Sequence, residues 1–465
     1  MSTRPALPHT LACAALPLLL LGPTACTAPD DQVVRIALAV DVTATEESGE
    51  DGVYMRLVQR WEEANEGWRV DVQWLAPEAD EQRSQLAVAM QSDDLTYDVL
   101  ALDNQWVPEF VEREWLLPVD TENELLGWGG FLDRSRDAVC HRDQAWAVPF
   151  HMDVGLLYYR ADLVDPEEIT ERTATDGWRG LLELAEEVRD EHGLAHGYTG
   201  QFGNYEGLTV NALEFILDDR SGADTGGGGI FHEADEGGDC PVATSASGDF
   251  QGLRVLEEGL NPGEEKTGVI PRAALEETEA ESLNRFRSGD VVFMRHWPRA
   301  VSRLRADAQS DETLQEGLTW VGWGGEAEGD DPAFGVLPLP VAVLGGHSLA
   351  VTEESRHPDQ AWSLVRSLTG REAQEDLHAS GLLPSRGSGY QLESEDPADS
   401  EYWTRLRDAV EEGRLRPRTP YYPYVSEVLR HHVHTQLNPF APDPHPDDMV
   451  CELNAALAGR VGSCD

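Results

Sequence analysis

The stretch VVRIALAV, residues 33–40, alternates in side-chain character and is rich in β-branched residues, so it reads as a strand. Past a polar, acidic loop at residues 41–52, Tyr54–Ala64 carries apolar side chains at helical spacing and ends near Asn65 and Gly67. WRVDVQWL (residues 68–75) reads as a second strand, Arg83–Ser92 as a helix, and YDVLAL (residues 97–102) as a buried strand. Strand, helix, strand, helix, strand is the rhythm of an α/β sheet with largely parallel pairing. Ligands of such sheets sit at the carboxyl ends of the strands, where Asp41, Asp103 and Asn104 fall.

Further on, Trp106–Trp115 reads as a helix, and WAVPFHMDVGLLYYR (residues 146–160) runs strand-like through a proline and a glycine, as a segment crossing between lobes does. In YTGQFGNYEGLTVNALE (residues 198–214) turn formers lead into an apolar helix. Tyr205 and Glu206 stand at the junction, a flat ring beside a fixed acceptor, which suits a sugar's CH face and hydroxyls. Asp218–Gly238 reads as a surface loop; its glycine run lacks the lysine and hydroxyl residue of a phosphate loop. Helices are expected at Leu181–Glu191, Phe250–Leu260, Glu279–Phe286, Asp359–Leu368, Glu372–Ala379, Trp403–Glu412 and Val425–Leu437. A short strand is expected at Val291–Met294, and an edge strand at Val336–Leu344 because of Pro338 and Pro340.

The chain has 465 residues, with 86 acidic against 35 basic ones and a formal net charge of -51. Such a surface repels nucleic acid and offers no basic membrane patch. At the N-terminus, Leu11–Leu21 is a short apolar run, and Pro23-Thr24-Ala25-Cys26 is similar to a bacterial lipobox, with Pro23 where an aliphatic residue is usual. The expectation is a lipoprotein signal peptide over residues 1–25, an acyl anchor (palmitate among its chains) on Cys26, and a tether over residues 26–32. Of the later cysteines, Cys140, Cys240, Cys451 and Cys464 allow three pairings in an exported chain. Cys140–Cys240 and Cys451–Cys464 are the preferred pairs, and no CxxC spacing suggests a metal.

Seven segments, in order, resemble the extracellular sugar-binding lipoproteins of ATP-driven importers (extracellular solute-binding protein family 1), specifically the trehalose/maltose type. They begin YDVLALDNQW (Tyr97), WAVPFHMDVG (Trp146), YTGQFGNYEG (Tyr198), FRSGDVVFMRHWPRA (Phe286), LGGHSLAVTE (Leu344), GLLPSR (Gly381) and RPRTPYYPYV (Arg416). The resemblance implies an α/β, two-lobed periplasmic-binding-protein-like fold of type II, with hinged lobes and a ligand cleft between them. It puts the N-terminal lobe at residues 33–152 and 346–382 and the C-terminal lobe at 155–340 and 386–465, with crossings near Asp153, Leu344 and Pro384.

The same resemblance implies a ligand set. Asp103, Asn104 and Asp153 would bond sugar hydroxyls, Tyr205 and Glu206 would act from the second lobe, and Trp297 would stack on a sugar face. The Gly345 and Gly346 backbone would approach the ligand, Arg386 would supply a donor fork, and His347, Arg418 and Tyr421 complete the set, with Asp41 and Glu46 weaker. Two of the family's aromatic platforms are replaced here, by His347 and Arg299, which widens the ligand class beyond a disaccharide such as trehalose or maltose. The implied protein is not an enzyme and needs no cofactor or metal. It is a monomer anchored by lipid at the outer face of the cell membrane, passing its sugar to ABC permease subunits.

Each position also has a plainer reading. Asp103 could cap the following helix, Trp297 could be core, Arg386 could pair with surface acids, and His431 and His434 could be a solvated helix face. The competing function is a secreted glycoside hydrolase, with Glu206 and Asp103 or Asp153 as its carboxyl pair.

Overall fold

The structure is a computed structural model. It describes residues 32–39, 52–92, 97–218, 220, 230–233, 240–248, 250–261, 267–310, 318–327, 329, 331–392, 397–438 and 446–460. Asp41, Glu46, the N-terminal segment with Cys26, and Cys464 lie outside these residues.

The N-terminal strands are β1 (Val33–Leu38), β2 (Arg69–Trp74) and β3 (Val99–Asp103). A small hairpin follows, β4 (Cys140–His141) and β5 (Gln144–Ala145), then the crossing strands β6 (Val148–Val154) and β7 (Leu156–Arg160). Next come β8 (His196–Thr199), the hairpin strands β9 (Phe231–Glu233) and β10 (Ala243–Ala246), and β11 (Val291–His296). The last are β12 (Thr319–Trp323), β13 (Ala333–Pro338), β14 (Leu344–Val351) and β15 (Leu383–Pro384).

Two main sheets result, ordered β15-β6-β14-β3-β1-β2 and β12-β13-β7-β11-β8. The expected parallel pairing holds where helices make the crossovers: β1 pairs in parallel with β2 and β3. The returning strand β14 runs antiparallel between β3 and β6. Only Gly155 separates β6 in the first sheet from β7 in the second, so the Trp146–Arg160 stretch does carry the chain across.

Alternation along the strands buries both faces of the first sheet. Val34, Ile36 and Leu38 of β1 pack with the helices Val53–Ala64 and Pro358–Leu368, while Leu100 and Leu102 of β3 face Leu86 and Phe110 on the other side. In the second sheet, Leu157 and Tyr159 of β7 pack under the helices Glu206–Ile216 and Tyr422–Leu437, and Leu156 and Tyr158 face the opposite core. That opposite core also holds Met152, Val154 and Leu383 of the first sheet, so apolar packing is continuous beneath the crossing.

Several expectations are corrected. β13 is not an edge strand: it lies between β12 and β7, and Pro338 is tolerated because it is the last residue of the strand. β12 fills the edge instead, within a region that reads only as glycine and acid. The glycine pair belongs to β14, which begins at Leu344, and β15 extends to Pro384, so the first sheet takes slightly more of the chain than the anticipated ranges.

Cys140 and Cys240 form a disulfide with Cα atoms 5.6 Å apart. Cys140 belongs to the hairpin beside the helix Val107–Glu112 of the first lobe, and Cys240 precedes β10, whose Ala243 and Ala246 lie in the core of the second. Cys451 is disulfide-bonded too, while its expected partner, Cys464, is beyond the described residues.

Candidate functional site

The carboxyl end of β3 and the start of the helix Glu206–Ile216 are brought together by Arg416. Asp103 ends β3 and precedes a short 3₁₀ turn, yet its side chain makes no capping bond. Its carboxylate accepts from Arg416 instead, with Nη2–Oδ1 at 2.7 Å. Arg416 Nη1 donates to Glu206 Oε1 at 2.9 Å. One guanidinium thus ties a carboxylate of each lobe. Glu206 also accepts from the Tyr422 hydroxyl and, at 2.7 Å, from Ser426. Burial alone would lower the Arg416 pKa, but Asp103, Tyr422 and Glu206 outweigh it and hold it above the ordinary arginine value.

Trp297 stands on the facing wall. Arg295 lies 3.8 Å from its ring centroid, and Arg295 is itself fixed by a two-pronged pair with fully buried Glu214 at 2.9 and 2.8 Å. The indole Nε1 donates to Glu279 at 3.2 Å, and Tyr205 donates to the same carboxylate at 2.8 Å. Tyr205, Glu279 and Trp297 form one hydrogen-bonded row.

Asp153 and Gly345 pair across β6 and β14 beneath that row. A Cβ on Gly345 would come within 3.3 Å of the Asp153 Cβ and 3.5 Å of the Trp297 ring, so glycine lets the three converge. Burial, with Glu279 and Asp103 nearby, pushes the Asp153 carboxyl up to about 7 against the pull of Arg295. Gly346 has a φ of 118°, and a Cβ there would stand 2.4 Å from the His151 carbonyl oxygen. His347 faces Asp103 on one side and His151 on the other, with the two rings 5.1 Å apart. Burial lowers both imidazole pKa values, His151 to about 3.

The structure therefore brings together Asp103, Asp153, Tyr205, Glu206, Trp297, Gly345, Gly346 and His347. Asn104 is adjacent, accepting from Ser348 at 2.6 Å. Arg418 lines a cavity beside Arg416 and donates to the Asp137 carbonyl at 2.9 Å. Two expected residues stand elsewhere. Arg386 is a strut of the first lobe: it donates to the carbonyls of Thr369, Gly127 and Leu126 at 2.7, 3.0 and 2.6 Å and lies over Phe131. Tyr421 is 39% exposed and stacks on Tyr424 at the surface, while the next residue, Tyr422, reaches Glu206.

Sequence reasoning missed Arg416, Tyr422, Glu279 and Arg295. The signal for the first two was present in RPRTPYY, residues 416–422, where two arginines and two tyrosines compete and only the fold chooses between them.

The carboxylates of Asp103 and Glu206 share one guanidinium. Comparison with solved structures finds the same fold at low identity. Maltose-bound MalE3 of T. maritima matches 92% of this chain and 99% of its own, with TM-score 0.69 and 22% identity. The GacH receptor of Streptomyces glaucescens GLA.O, solved free and with acarbose, gives 0.65 and 18% over 92% of this chain and 99% of its own. An ABC transporter solute-binding protein of Thermotoga lettingae TMO bound with α-D-tagatose gives 0.64 and 19% over 92% and 100%. These neighbours are two-lobed substrate-binding proteins of type II, not enzymes. Among curated proteins, a "Probable ABC transporter-binding protein" of Deinococcus radiodurans is 31% identical over 242 residues, 49% of this chain; the match spans about half of that relative's length, 48%. The profile of the bacterial extracellular solute-binding proteins matches residues 45–375, and the chain belongs to that family.

Proposed function

We propose that the protein captures a neutral carbohydrate in the groove between its lobes and passes it unchanged to the permease of an ABC importer. The observation that carries this is the convergence of Asp103 and Glu206, one from each lobe, on Arg416, with Gly345 close against Asp153 and the Trp297 ring. Carboxylates accept from hydroxyls, an indole covers the CH face of a pyranose, and glycine admits the ring. The surroundings are acidic: Asp103 and Glu206 share Arg416, while Asp153 and Glu279 lie about Arg295, which is paired with Glu214, so both guanidinium charges are already shared. The ligands bound in the neighbours' structures, maltose, acarbose and tagatose, support the class. A disaccharide of the trehalose or maltose type is the first ligand to try. The lobes, about residues 33–152 with 346–382 and 155–340 with 386–465, close on it as bodies about the crossings. Cys26 carries the lipid that holds the receptor at the outer membrane face beside its permease, and the receptor acts as a monomer.

The test is a thermal-shift screen of the purified protein over maltose, trehalose, tagatose and ribitol, followed by calorimetry. A ligand in hundredfold excess over its Kd adds about 2.7 kcal/mol of stability and raises Tm. A rise with charged solutes alone, or new reducing ends after incubation, overturns the proposal. For the anchor, Cys26→Ala should release the protein into the medium; retention at the membrane would remove the lipid.

A further inference from the structure

We infer that Gln105 forms a hydroxyl-reading subsite at the inner end of the groove. The inference rests on the carbohydrate reading above and adds to it a specificity-determining residue. Gln105 lies directly after the Asp103-Asn104 pair, in the 3₁₀ turn Asn104–Trp106 that β3 feeds. Its side chain is only 4% exposed. Neither its Oε1 nor its Nε2 has a hydrogen-bond partner among the described residues. A primary amide so placed loses its water without gaining a protein partner, which is costly and uncommon.

The amide does not stand against a packed wall. It lines a cavity of about 20 Å³ shared with Asn104, Arg416, Arg418, Ala138 and Leu344. That is room for one water-sized group. The space therefore suits a single hydroxyl at one end of a ligand that lies mainly beyond Arg416.

The chemistry of the walls selects that end. Arg416 is committed to Asp103 and Glu206, and Arg418 to the Asp137 carbonyl. Asn104 Oδ1 already accepts from Ser348. Unspent in this lining are Asn104 Nδ2 and the whole Gln105 amide, which offers a donor and an acceptor side by side. An alcohol hydroxyl matches both at once. A carboxylate or phosphate would meet Oε1 with no proton to give, and an apolar group would leave both atoms unpaired. Sites that hydrogen-bond a substrate hydroxyl reject analogues lacking it far more strongly than apolar pockets discriminate by size. Gln105 thus reads a terminal hydroxyl of the sugar.

The experiment compares wild type with Gln105→Leu and Gln105→Met by calorimetry and thermal melting. The probe is whichever of maltose and trehalose the wild type binds, with its monodeoxy analogues. Both variants should melt at or above the wild-type temperature, since an unpaired amide is replaced by a side chain of similar size. Both should bind the parent sugar roughly tenfold more weakly. One deoxy analogue should lose the same factor on wild type and nothing further on the variants; a merely structural role would not produce that non-additivity. Tight binding by wild type with unchanged affinity in both variants overturns the subsite and leaves the carbohydrate reading standing. Additive losses for every analogue also overturn it. Failure of wild type to bind any sugar of the screen overturns both.

Discussion

Arg416 Nη2 stands 2.7 Å from Asp103 Oδ1, although the two residues belong to different parts of the chain and Arg416 is shared with Glu206 of the other lobe. Removing the guanidinium would leave two buried carboxylates facing one another. Arg416→Ala should therefore cost about 3–5 kcal/mol. The loss should shrink on acidification, because protonating either acid relieves the repulsion. Urea melts at pH 7 and pH 5 measure this, and an unchanged midpoint at pH 7 would contradict it.

Asp153 carries a pH dependence of opposite sense to the usual acid. Its carboxyl is pushed up to about 7 in the folded chain, mainly through burial, from an ordinary value of 3.8. Between those values the folded state holds a proton that the unfolded state has lost, so stability falls as pH rises from about 4 to about 7 and levels off above. His151, lowered to about 3 from 6.5, contributes the other slope: its share is present above pH 6.5 and is lost as pH falls. In Asp153→Asn the decline between pH 4 and 7 should flatten, leaving the histidine slope exposed. A Tm-against-pH curve identical to wild type would show that Asp153 is charged throughout.

Gly346 should not tolerate a side chain. Its φ of 118° and the 2.4 Å approach to the His151 carbonyl oxygen mean that Gly346→Ala strains the backbone and pushes β14 from β6. The expected loss is at least ~1–3 kcal/mol in a denaturation curve. A wild-type midpoint would refute the placement of this strand.

Trp297→Ala should weaken sugar binding by about 1–3 kcal/mol, roughly five- to 150-fold in Kd. Trp297→Phe should keep most of the stacking and lose only the bond to Glu279. Calorimetry separates the two, and equal affinity in all three proteins would take the ring out of the site.

Much of this architecture is written in local pattern. β1, β2 and β3 are legible because their alternation or continuous apolarity is set by burial on two faces, and the crossing at Gly155 because two strands abut without a turn. The resemblance points to Asp103, Glu206 and Trp297, and the local stretch to Glu206 as well; the structure places Asp103 and Glu206 on one guanidinium. What was not legible depends on tertiary choice. Trp320 and Trp323 of β12 sit among glycines and acids, and only packing against Phe334 and Tyr402 makes that segment a strand. Arg386 and Arg416 look alike in sequence; one meets backbone carbonyls and the other meets carboxylates, a distinction no spacing rule encodes. Tyr421 and Tyr422 differ by one step around a helix start, which turns one to water and the other inward.

The Cys140–Cys240 bond limits how widely the two halves can gape. Its ends sit in opposite lobes, and a cystine holds its Cα atoms within about 7 Å. Wide swinging apart at that rim is forbidden unless the short hairpins themselves peel away. A mouth stapled at one corner should slow the exchange of solute. Reducing the bond, or the Cys140→Ser/Cys240→Ser pair, should speed sugar release in stopped-flow traces and enlarge the sugar-free particle in solution scattering. Identical traces and radii would mean that the staple bears no tension in the working cycle.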